Sequence, residues 1–231
     1  MRSKFIRGSN TPFKAVINSA SSAAATSGDT VDIPEATAVG DLMLMIVGIE
    51  SNTSASPTHA LPTNWTSLAY CTTADDLIYR VCYKHATASD ISTGTVDYGS
   101  HSQNSTSCCI VSVRGVTVDA YGIAYEDSDE NPTYYPNIRV KTENALTASK
   151  NGSICLTFGT QSTAYTVTGF TTLDGYPTGS LVVQKEFIDG WGIVTCIGSQ
   201  EMDADENTGL VKFTQSTYSS DDTGTFQVML H

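Results

Sequence analysis

Charged residues are scarce in this chain, and long apolar runs are absent. Asp, Glu, Lys and Arg make up 16% of the 231 residues, well below the usual quarter of a soluble protein. No stretch approaches the roughly 18 apolar residues that a membrane-spanning helix requires. Residues 1–20 also lack the apolar segment of a signal peptide. We therefore expect no membrane association, and synthesis in a cytoplasm without export by the common route.

Short catalytic motifs are also missing. The sequence has no G-x-S-x-G nucleophile elbow, no G-x-x-x-x-G-K-[ST] phosphate loop and no H-E-x-x-H zinc motif. None of the four histidines pairs with another at i+2 or i+4, and they are His59, His85, His101 and His231. A Ser–His–Asp triad is assembled in space and leaves no short motif, but nothing else in the chain indicates one. We expect a protein that is not an enzyme.

The cysteines are not spaced as a metal or redox motif, because no C-x-x-C pair occurs. Cys82, Cys155 and Cys196 lie in apolar segments, which is typical of buried free thiols. Cys108 and Cys109 are adjacent, so in a strand their side chains point to opposite faces and are poorly placed to bond to each other. We expect free thiols and no disulfide framework.

The net charge of −12 is distributed unevenly. Residues 1–20 contain no acidic residue and four basic ones, which are Arg2, Lys4, Arg7 and Lys14. The rest of the chain holds 8 basic and 24 acidic side chains, so that its balance is 8 − 24 = −16. An acidic body is unsuited to nucleic acid, because phosphate contacts require clustered Lys and Arg. The basic head is either a docking arm for an acidic neighbour or a solvated terminus.

The segment from Val39 to Glu50 carries the strongest structural signal. Its apolar residues occupy both alternating faces of a strand, with Leu42, Leu44 and Ile46 on one face and Met43, Met45, Val47 and Ile49 on the other. A strand that is apolar on both faces belongs in the middle of a sheet that is covered on both sides. The segment therefore predicts a central strand of a sandwich or jelly roll.

Many short strand candidates separated by turn signals extend along the chain. They are residues 41–49, 66–71, 77–85, 94–98, 107–114, 120–125, 138–141, 153–159, 164–169, 181–187, 191–198, 209–215 and 225–230. Asn151-Gly152 and Asp189-Gly190 tolerate the positive φ angles of tight turns, and the second is expected to join an antiparallel pair. One short helix is expected around Glu143–Lys150.

This pattern predicts an all-β fold, an antiparallel β-sandwich of jelly-roll type. Residues 1–30 are rich in Ser and Ala and are predicted to form an extended basic arm that includes a first edge strand. Residues 31–231 are predicted to form a single sandwich domain, because no Pro- or Gly-rich linker divides them.

Two acidic segments share a D-x-D-x-N pattern and are candidate calcium sites, since alternating oxygen side chains can surround this ion. Their residues are Asp127, Asp129, Asn131, Asp203, Asp205 and Asn207. Neither segment has Gly at the sixth position or Glu at the twelfth. An acidic turn exposed to solvent is the alternative interpretation, and we expect no required cofactor.

Aromatic residues supply two candidate contact sites. Trp65 is either a platform on which a sugar ring stacks or a core residue. Tyr134 and Tyr135 lie between Pro132 and Pro136, which is typical of an exposed loop. We expect these two tyrosines to contact a partner protein.

Four short motifs occur in a fixed order along the chain. They are Gly40-Asp41-Leu42, Pro62-Thr-Asn-Trp65-Thr66-Ser-Leu68, Lys84-His-Ala86-Thr87-Ala-Ser-Asp90 and Arg114-Gly115-Val116. In this order they resemble a group of β-sandwich proteins of tailed-bacteriophage virions, in which GDLL, P-x-G-W-T-x-L, K-x-A-T-x-x-D and RGV recur. Asn64 stands where that pattern has Gly, and both residues accept turn conformations.

The resemblance implies a structural role in the virion and brings no active-site residues. A capsid decoration or cement protein is the leading interpretation, with the basic arm bound to the major capsid protein or to another virion protein. The alternative is a tail-fibre or receptor-binding component that binds a host glycan. Either role predicts a homo-oligomer, because virion surface proteins follow the symmetry of the particle.

Overall fold

The computed structural model of the protein describes residues 16–25, 30–50, 58–72, 77–99, 105–126, 146–149, 151–161, 167–172, 182–188, 194–206, 211–215 and 223–231. Within these ranges the elements are β1 (Val16–Ala25), β2 (Thr30–Asp32), β3 (Leu42–Glu50), β4 (Thr66–Thr72), β5 (Leu77–His85), α1 (Ala88–Thr93), β6 (Thr95–Asp97), β7 (Ser105–Arg114), β8 (Val118–Glu126), β9 (Ser153–Gln161), β10 (Val167–Thr172), β11 (Val182–Ile188), β12 (Val194–Met202), β13 (Val211–Gln215) and β14 (Thr223–Leu230). The chain is thus all-β, as its sequence predicts.

The strands form two five-stranded sheets and two small pairs. Sheet 1 has the order β1-β7-β3-β5-β4, and sheet 2 has the order β11-β12-β9-β14-β8. The pairs are β2 with β6 and β10 with β13. All strand pairings in the described ranges are antiparallel, including the predicted pairing of β11 with β12.

Strand β3 lies at the centre of sheet 1, between β7 and β5. Every residue from Leu42 to Ile49 is buried. The two faces of the strand enter different clusters, one containing Leu42, Leu44 and Ile46 and the other containing Met43, Met45, Val47 and Ile49. The prediction of a central strand covered on both sides is confirmed.

Side chains from both five-stranded sheets enter one buried cluster. Sheet 1 contributes residues of β3, β4, β5 and β7, and sheet 2 contributes residues of β9 and β14. The Phe158 and Phe226 rings, which face each other across β9 and β14, have centroids 6.3 Å apart. Burying each large apolar side chain is worth about 1.5–3 kcal/mol, so this cluster is a major source of stability.

The opposite faces of the two sheets are also covered. In sheet 1 the second face of β3 packs with Trp65, Tyr98 and the valines of β2 and β6. In sheet 2 the second face carries Cys155 and Met229, which cluster with Met202, Leu146 and Ala148. Segments outside the two large sheets therefore supply part of each outer cover.

The first described strand lies within the predicted N-terminal arm. Residues 16–25 form β1, which pairs with β7 along the edge of sheet 1, and residues 30–32 form β2. The segment predicted as an arm with a first edge strand thus contains the edge strand β1. Pairing with β7 satisfies backbone donors and acceptors of this Ser- and Ala-rich segment, which has few large apolar side chains of its own.

The predicted helix around Glu143–Lys150 is wrong where the structure describes it. Residues 146–149 are not helical, and the backbone of Ala148 bonds to Asp205 and Glu206. Leu146 and Ala148 are buried in the sheet 2 cover, so tertiary packing overrides the local helix preference. The strand predicted at residues 138–141 and the Asp189-Gly190 turn lie outside the described residues.

The four cysteines whose side chains the structure describes are buried and form no disulfide: Cys82, Cys108, Cys109 and Cys155. Cys108 and Cys109 enter clusters on opposite faces of β7, as their adjacent positions predict. Burial raises the pKa of Cys82 and of Cys155 to about 12. These thiols therefore stay protonated and serve as small apolar core residues.

Candidate functional site

The four motifs of the sequence meet at one end of sheet 1. Strand β3 is antiparallel to both of its neighbours, so its first residue lies beside the last residues of β5 and β7. Leu42 stands opposite His85 in β5 and Val113 in β7. Asp41, which precedes β3, is thereby placed next to Ala86 and Arg114, although these residues are far apart in the sequence.

Asp41 and Arg114 form a forked ion pair. Arg114 donates from Nε to Asp41 Oδ1 at 3.0 Å and from Nη2 to Oδ2 at 2.9 Å. The Asp41 carboxylate is buried, and its Oδ2 also accepts the backbone N–H of Ala38 at 2.8 Å. Arg114 donates to the carbonyl oxygen of Ala36 as well. The pair therefore fixes the connection that leads into β3.

The hydrogen bonds from Arg114 to Asp41, together with the negative charge of that carboxylate, raise the pKa of the Arg114 guanidinium. The Arg114 guanidinium is thus permanently charged, and it is hydrogen-bonded to Asp41 and Ala36 of the same chain. Its side chain is 54% exposed, so solvent screens the attraction and the fork geometry matters more than the charge.

A second group of contacts links Trp65 to the helix α1. Lys84 Nζ lies 2.6 Å from Asp90 Oδ1 and 5.1 Å from the centroid of the Trp65 ring. The cation is therefore held between a carboxylate and an aromatic face. This arrangement connects the P-x-x-W motif to the K-x-A-T-x-x-D motif through space.

Asp90 also completes the start of α1. Its Oδ2 accepts the backbone N–H of Thr87 at 2.8 Å and the hydroxyl of Thr87 at 2.7 Å. The Thr87 hydroxyl oxygen in turn accepts the backbone N–H of Asp90, which makes a capping box. Gly94 ends the helix with φ +76°. The T-x-x-D spacing followed by Gly94 is the sequence signal of this short helix, which the sequence analysis missed.

Backbone hydrogen bonds join the two groups. Gly40 donates to the carbonyl oxygen of Ala86 at 2.8 Å, and Ala86 donates to that of Asp41 at 2.9 Å. We call Asp41, Trp65, Lys84, Thr87, Asp90 and Arg114 the motif network. Its charged groups neutralise each other and its hydroxyl caps a helix, so the network holds loops in place around the end of sheet 1.

The motif network predicts a pH dependence. Burial disfavours ionisation of Asp90, but the hydrogen bonds from Lys84 and Thr87 outweigh burial and hold the pKa of the carboxyl below its usual value. The stabilisation is thus present above about pH 4 and is lost as the pH falls through the lowered pKa. Asp90→Asn should cost about 1 kcal/mol at pH 7, the typical value of a helix cap.

The measurement is denaturant unfolding of both proteins between about pH 2.5 and pH 7. The difference in free energy of unfolding should shrink toward zero at the acidic end, because wild-type Asp90 is then protonated. Glu35→Gln, which removes an exposed carboxylate, is the control and should show no such convergence. A difference for Asp90→Asn that does not change with pH would contradict the charged role of Asp90.

The structure favours the core interpretation of Trp65 over the sugar platform. Trp65 is only 6% exposed and belongs to the cluster on the outer face of sheet 1. The Lys84 ammonium group lies over one face of the ring. A sugar therefore has no open ring face to stack on, and Trp65 is a core residue.

The predicted partner-contacting residues lie outside the described part of the chain. They are Arg2, Lys4, Arg7, Lys14, Tyr134 and Tyr135. The four basic residues all precede Val16, the first residue of β1.

The second acidic segment forms a turn. The Glu206 carboxylate accepts the backbone N–H of Asp203 at 2.7 Å, and Glu206 donates its own N–H to the Asp203 carbonyl oxygen. Asp205 takes a φ of +67° and donates its N–H to Ala148. Asp203 and Asp205 thus shape a turn against the Leu146–Ser149 segment. Asp127, Asp129, Asn131 and Asn207 lie outside the described residues.

Two features were not singled out from the sequence. The half-buried Arg80 lies over the ring of the exposed Tyr70 on the neighbouring strand. The alternation of β5 could have shown that Arg80 shares a face with Lys84. His59 is buried, and its Nε2 lies 2.6 Å from the carbonyl oxygen of Tyr98. Its polar surroundings in the sequence gave no sign of burial.

No family model, curated protein or solved structure matches the chain. In the ranges described above, no group of three or more His, Cys, Asp or Glu side chains is placed to hold a metal ion. Over the same ranges, no helix has the length and apolar character needed to cross a membrane. The class defined by the fold is that of antiparallel all-β proteins, and the resemblance rests on the motifs alone.

Proposed function

We propose that this chain is a structural protein of a tailed-bacteriophage virion. A decoration or cement protein on the head surface, bound to the major capsid protein or to another virion protein, is the role that we favour. We further propose that the two five-stranded sheets form a jelly-roll-like sandwich. The shared cluster of β3, β4, β5, β7, β9 and β14 residues supports that arrangement.

The motif network is the observation that carries this proposal. Each motif of the resemblance contributes residues to it, and every one of their charged side chains is bonded to another group of the same chain. Residues recurring in a fixed order for catalysis would converge on a space for substrate. These residues instead hold loops and strand ends together, which is what a scaffold protein requires.

The charge distribution supports attachment through the N-terminal residues. The four basic side chains Arg2, Lys4, Arg7 and Lys14 all precede β1, and the remaining chain carries a balance of −16. Attraction between a basic segment and an acidic capsid surface would orient the acidic body outward. We take the attachment segment as residues 1–15, because β1 begins at Val16.

Deletion of residues 1–15 is the sharpest test of this attachment. We expect the truncated protein to fold with an unchanged melting temperature, since β1 is kept whole, and to lose binding to capsids that lack the protein. The assay is co-sedimentation with those capsids, with the substitution of all four basic residues by Gln as a second variant. Capsid binding that equals wild type in both variants would reject the tether.

The number of copies of this protein in a purified particle distinguishes a location on the head from a location on the tail. Hundreds of copies per purified particle, spread over the shell in electron micrographs, correspond to decoration. A few copies at one vertex correspond to the alternative, a tail or fibre component. A protein absent from purified particles would overturn the virion role itself.

A further inference from the structure

Two turns lie side by side at one end of sheet 2. Asn151 and Gly152 form the turn before β9, and residues 203–206 form the turn after β12, which is the antiparallel neighbour of β9. The backbone N–H of Ala204 donates to Asn151 Oδ1 at 2.8 Å. The backbone N–H of Gly152 donates to the carbonyl oxygen of Met202 at 3.1 Å. The Asn151 carboxamide therefore ties one turn to the other.

The first of these turns contains the only Asn-Gly pair in the sequence. Gly152 has a φ of +79°, which residues with a Cβ rarely adopt, so the turn requires glycine at this position. The same lack of a Cβ leaves the Gly152 nitrogen open to the neighbouring carboxamide. The Asn151 side chain is exposed, so water reaches its carboxamide group.

We propose that Asn151 is a modification site, at which the folded protein loses ammonia and converts the side chain to aspartate and isoaspartate. The Gly152 nitrogen gives up its proton and bonds to Asn151 Cγ, and the π electrons of the Cγ–Oδ1 bond move to Oδ1. When the carbonyl re-forms, the Cγ–Nδ2 bond breaks and ammonia leaves with the proton from Gly152. Water then opens the cyclic imide at one of its two carbonyl carbons, which gives aspartate or isoaspartate.

The contacts of the turn act on this reaction in opposite directions. Negative charge develops on Asn151 Oδ1 during the attack, and the Ala204 N–H already donates to that atom, as donors do in an oxyanion hole. The hydrogen bond from Gly152 to Met202 has to break, which slows the attack by about tenfold at most. We therefore expect the folded chain to react within about tenfold of the rate of the unfolded chain.

The products would loosen the contact between the two turns. In isoaspartate the main chain passes through Cβ and Cγ, so the backbone is one carbon atom longer and the group that accepts from Ala204 is displaced. Aspartate adds a negative charge beside a turn that already contains Asp203, Asp205 and Glu206, and like charges repel. The modification is thus a slow route to separating the two turns. This inference does not rest on the proposed virion role.

The test is peptide mass spectrometry of the folded full chain after several weeks at mildly alkaline pH. We expect the peptide that contains Asn151 to gain about 1 Da and to separate into two isomers. Asn64 is the matched control within the same molecule. It is exposed as well, and the N–H of the following Trp65 is bonded to the carbonyl oxygen of Pro62 at 3.2 Å. Because the Trp65 side chain shields its nitrogen, Asn64 should stay unmodified over the same time.

Asn151→Gln is the control variant, because its longer side chain would have to close a six-membered ring, and its peptide should gain no mass. The same incubation in concentrated guanidinium gives the rate of the unfolded chain. Loss of ammonia at Asn151 that is no faster than at Asn64 would overturn the proposal. So would a folded chain that reacts more than about tenfold more slowly than the unfolded one, or an equal gain of mass in Asn151→Gln. Equal melting temperatures of the purified modified and unmodified proteins would reject the loosening of the turns.

Discussion

Leu44→Ala and Met45→Ala should each lower the free energy of unfolding by about 2–5 kcal/mol, the range measured for large-to-small changes in a core. The two residues are neighbours in β3, but they enter different clusters. Leu44 packs toward the cluster that β9 and β14 share, and Met45 packs with Trp65 and Tyr98 on the other face. Both side chains are fully buried, so both substitutions leave cavities.

Chemical denaturation monitored by tryptophan fluorescence and circular dichroism measures the effect. Val39→Ala is the control, because Val39 is 63% exposed and should cost less than about 0.5 kcal/mol. A large loss for Leu44→Ala with a negligible loss for Met45→Ala would mean that only one face of sheet 1 is covered. The comparison thus tests the double burial of β3 separately from the fold as a whole.

The double burial of β3 was predictable because a strand has the simplest periodicity in proteins. Two apolar faces in one short run require cover on both sides, and no distant residue is needed to draw that conclusion. The same holds for the positions of most other strands and for Cys108 and Cys109, whose adjacency alone separates their faces. Local pattern therefore accounts for the all-β class.

The motif network could not be derived in the same way. Asp41 and Arg114 are 73 residues apart, and the antiparallel order β7-β3-β5 is what places them together. A single sequence does not reveal which strands are neighbours, so the order of the motifs does not show that they meet in space. The burial of Trp65 has the same origin, since the cover over sheet 1 comes from loops distant in sequence.

The failed helix illustrates the limit of local preference. Glu143–Lys150 has helix-forming residues, yet Leu146 and Ala148 are not helical and are buried in the cover of sheet 2. The helix that does form, α1, is only six residues long. It is stabilised by the Thr87–Asp90 capping box and by the ion pair of Asp90 with Lys84 of β5. A side chain from a neighbouring strand therefore helps to stabilise this helix.

Gly99→Ala should destabilise the protein by about 3 kcal/mol or more, an unusually large effect for adding one methyl group. Gly99 has a φ of +99°, a left-handed conformation that costs a residue with a Cβ about 1–2 kcal/mol. The added Cβ would also overlap the carbonyl oxygen of Ala60 and lie 2.8 Å from His59 Nε2. Both atoms belong to the segment in which the buried His59 contacts Tyr98.

That contact holds the segment of His59 against the end of β6. The carbonyl oxygen of Tyr98 can only accept a hydrogen bond, so His59 Nε2 must carry the proton that it donates across 2.6 Å. Relieving the overlap requires the Ala60 backbone to move away, which would break this bond and open the cover beside Tyr98. A backbone atom cannot move aside as easily as the end of a flexible side chain. The free energy cost of the overlap therefore adds to the cost of the φ angle.

Gly94→Ala separates the two contributions. Gly94 has a similar φ of +76°, but an added Cβ there meets no atom within 4 Å, so only the conformational cost of about 1–2 kcal/mol applies. Thermal or denaturant unfolding of both variants gives the difference, and Gly99→Ala should be clearly the worse. Equal losses would show that the His59 segment moves freely and does not form part of the fixed cover of sheet 1.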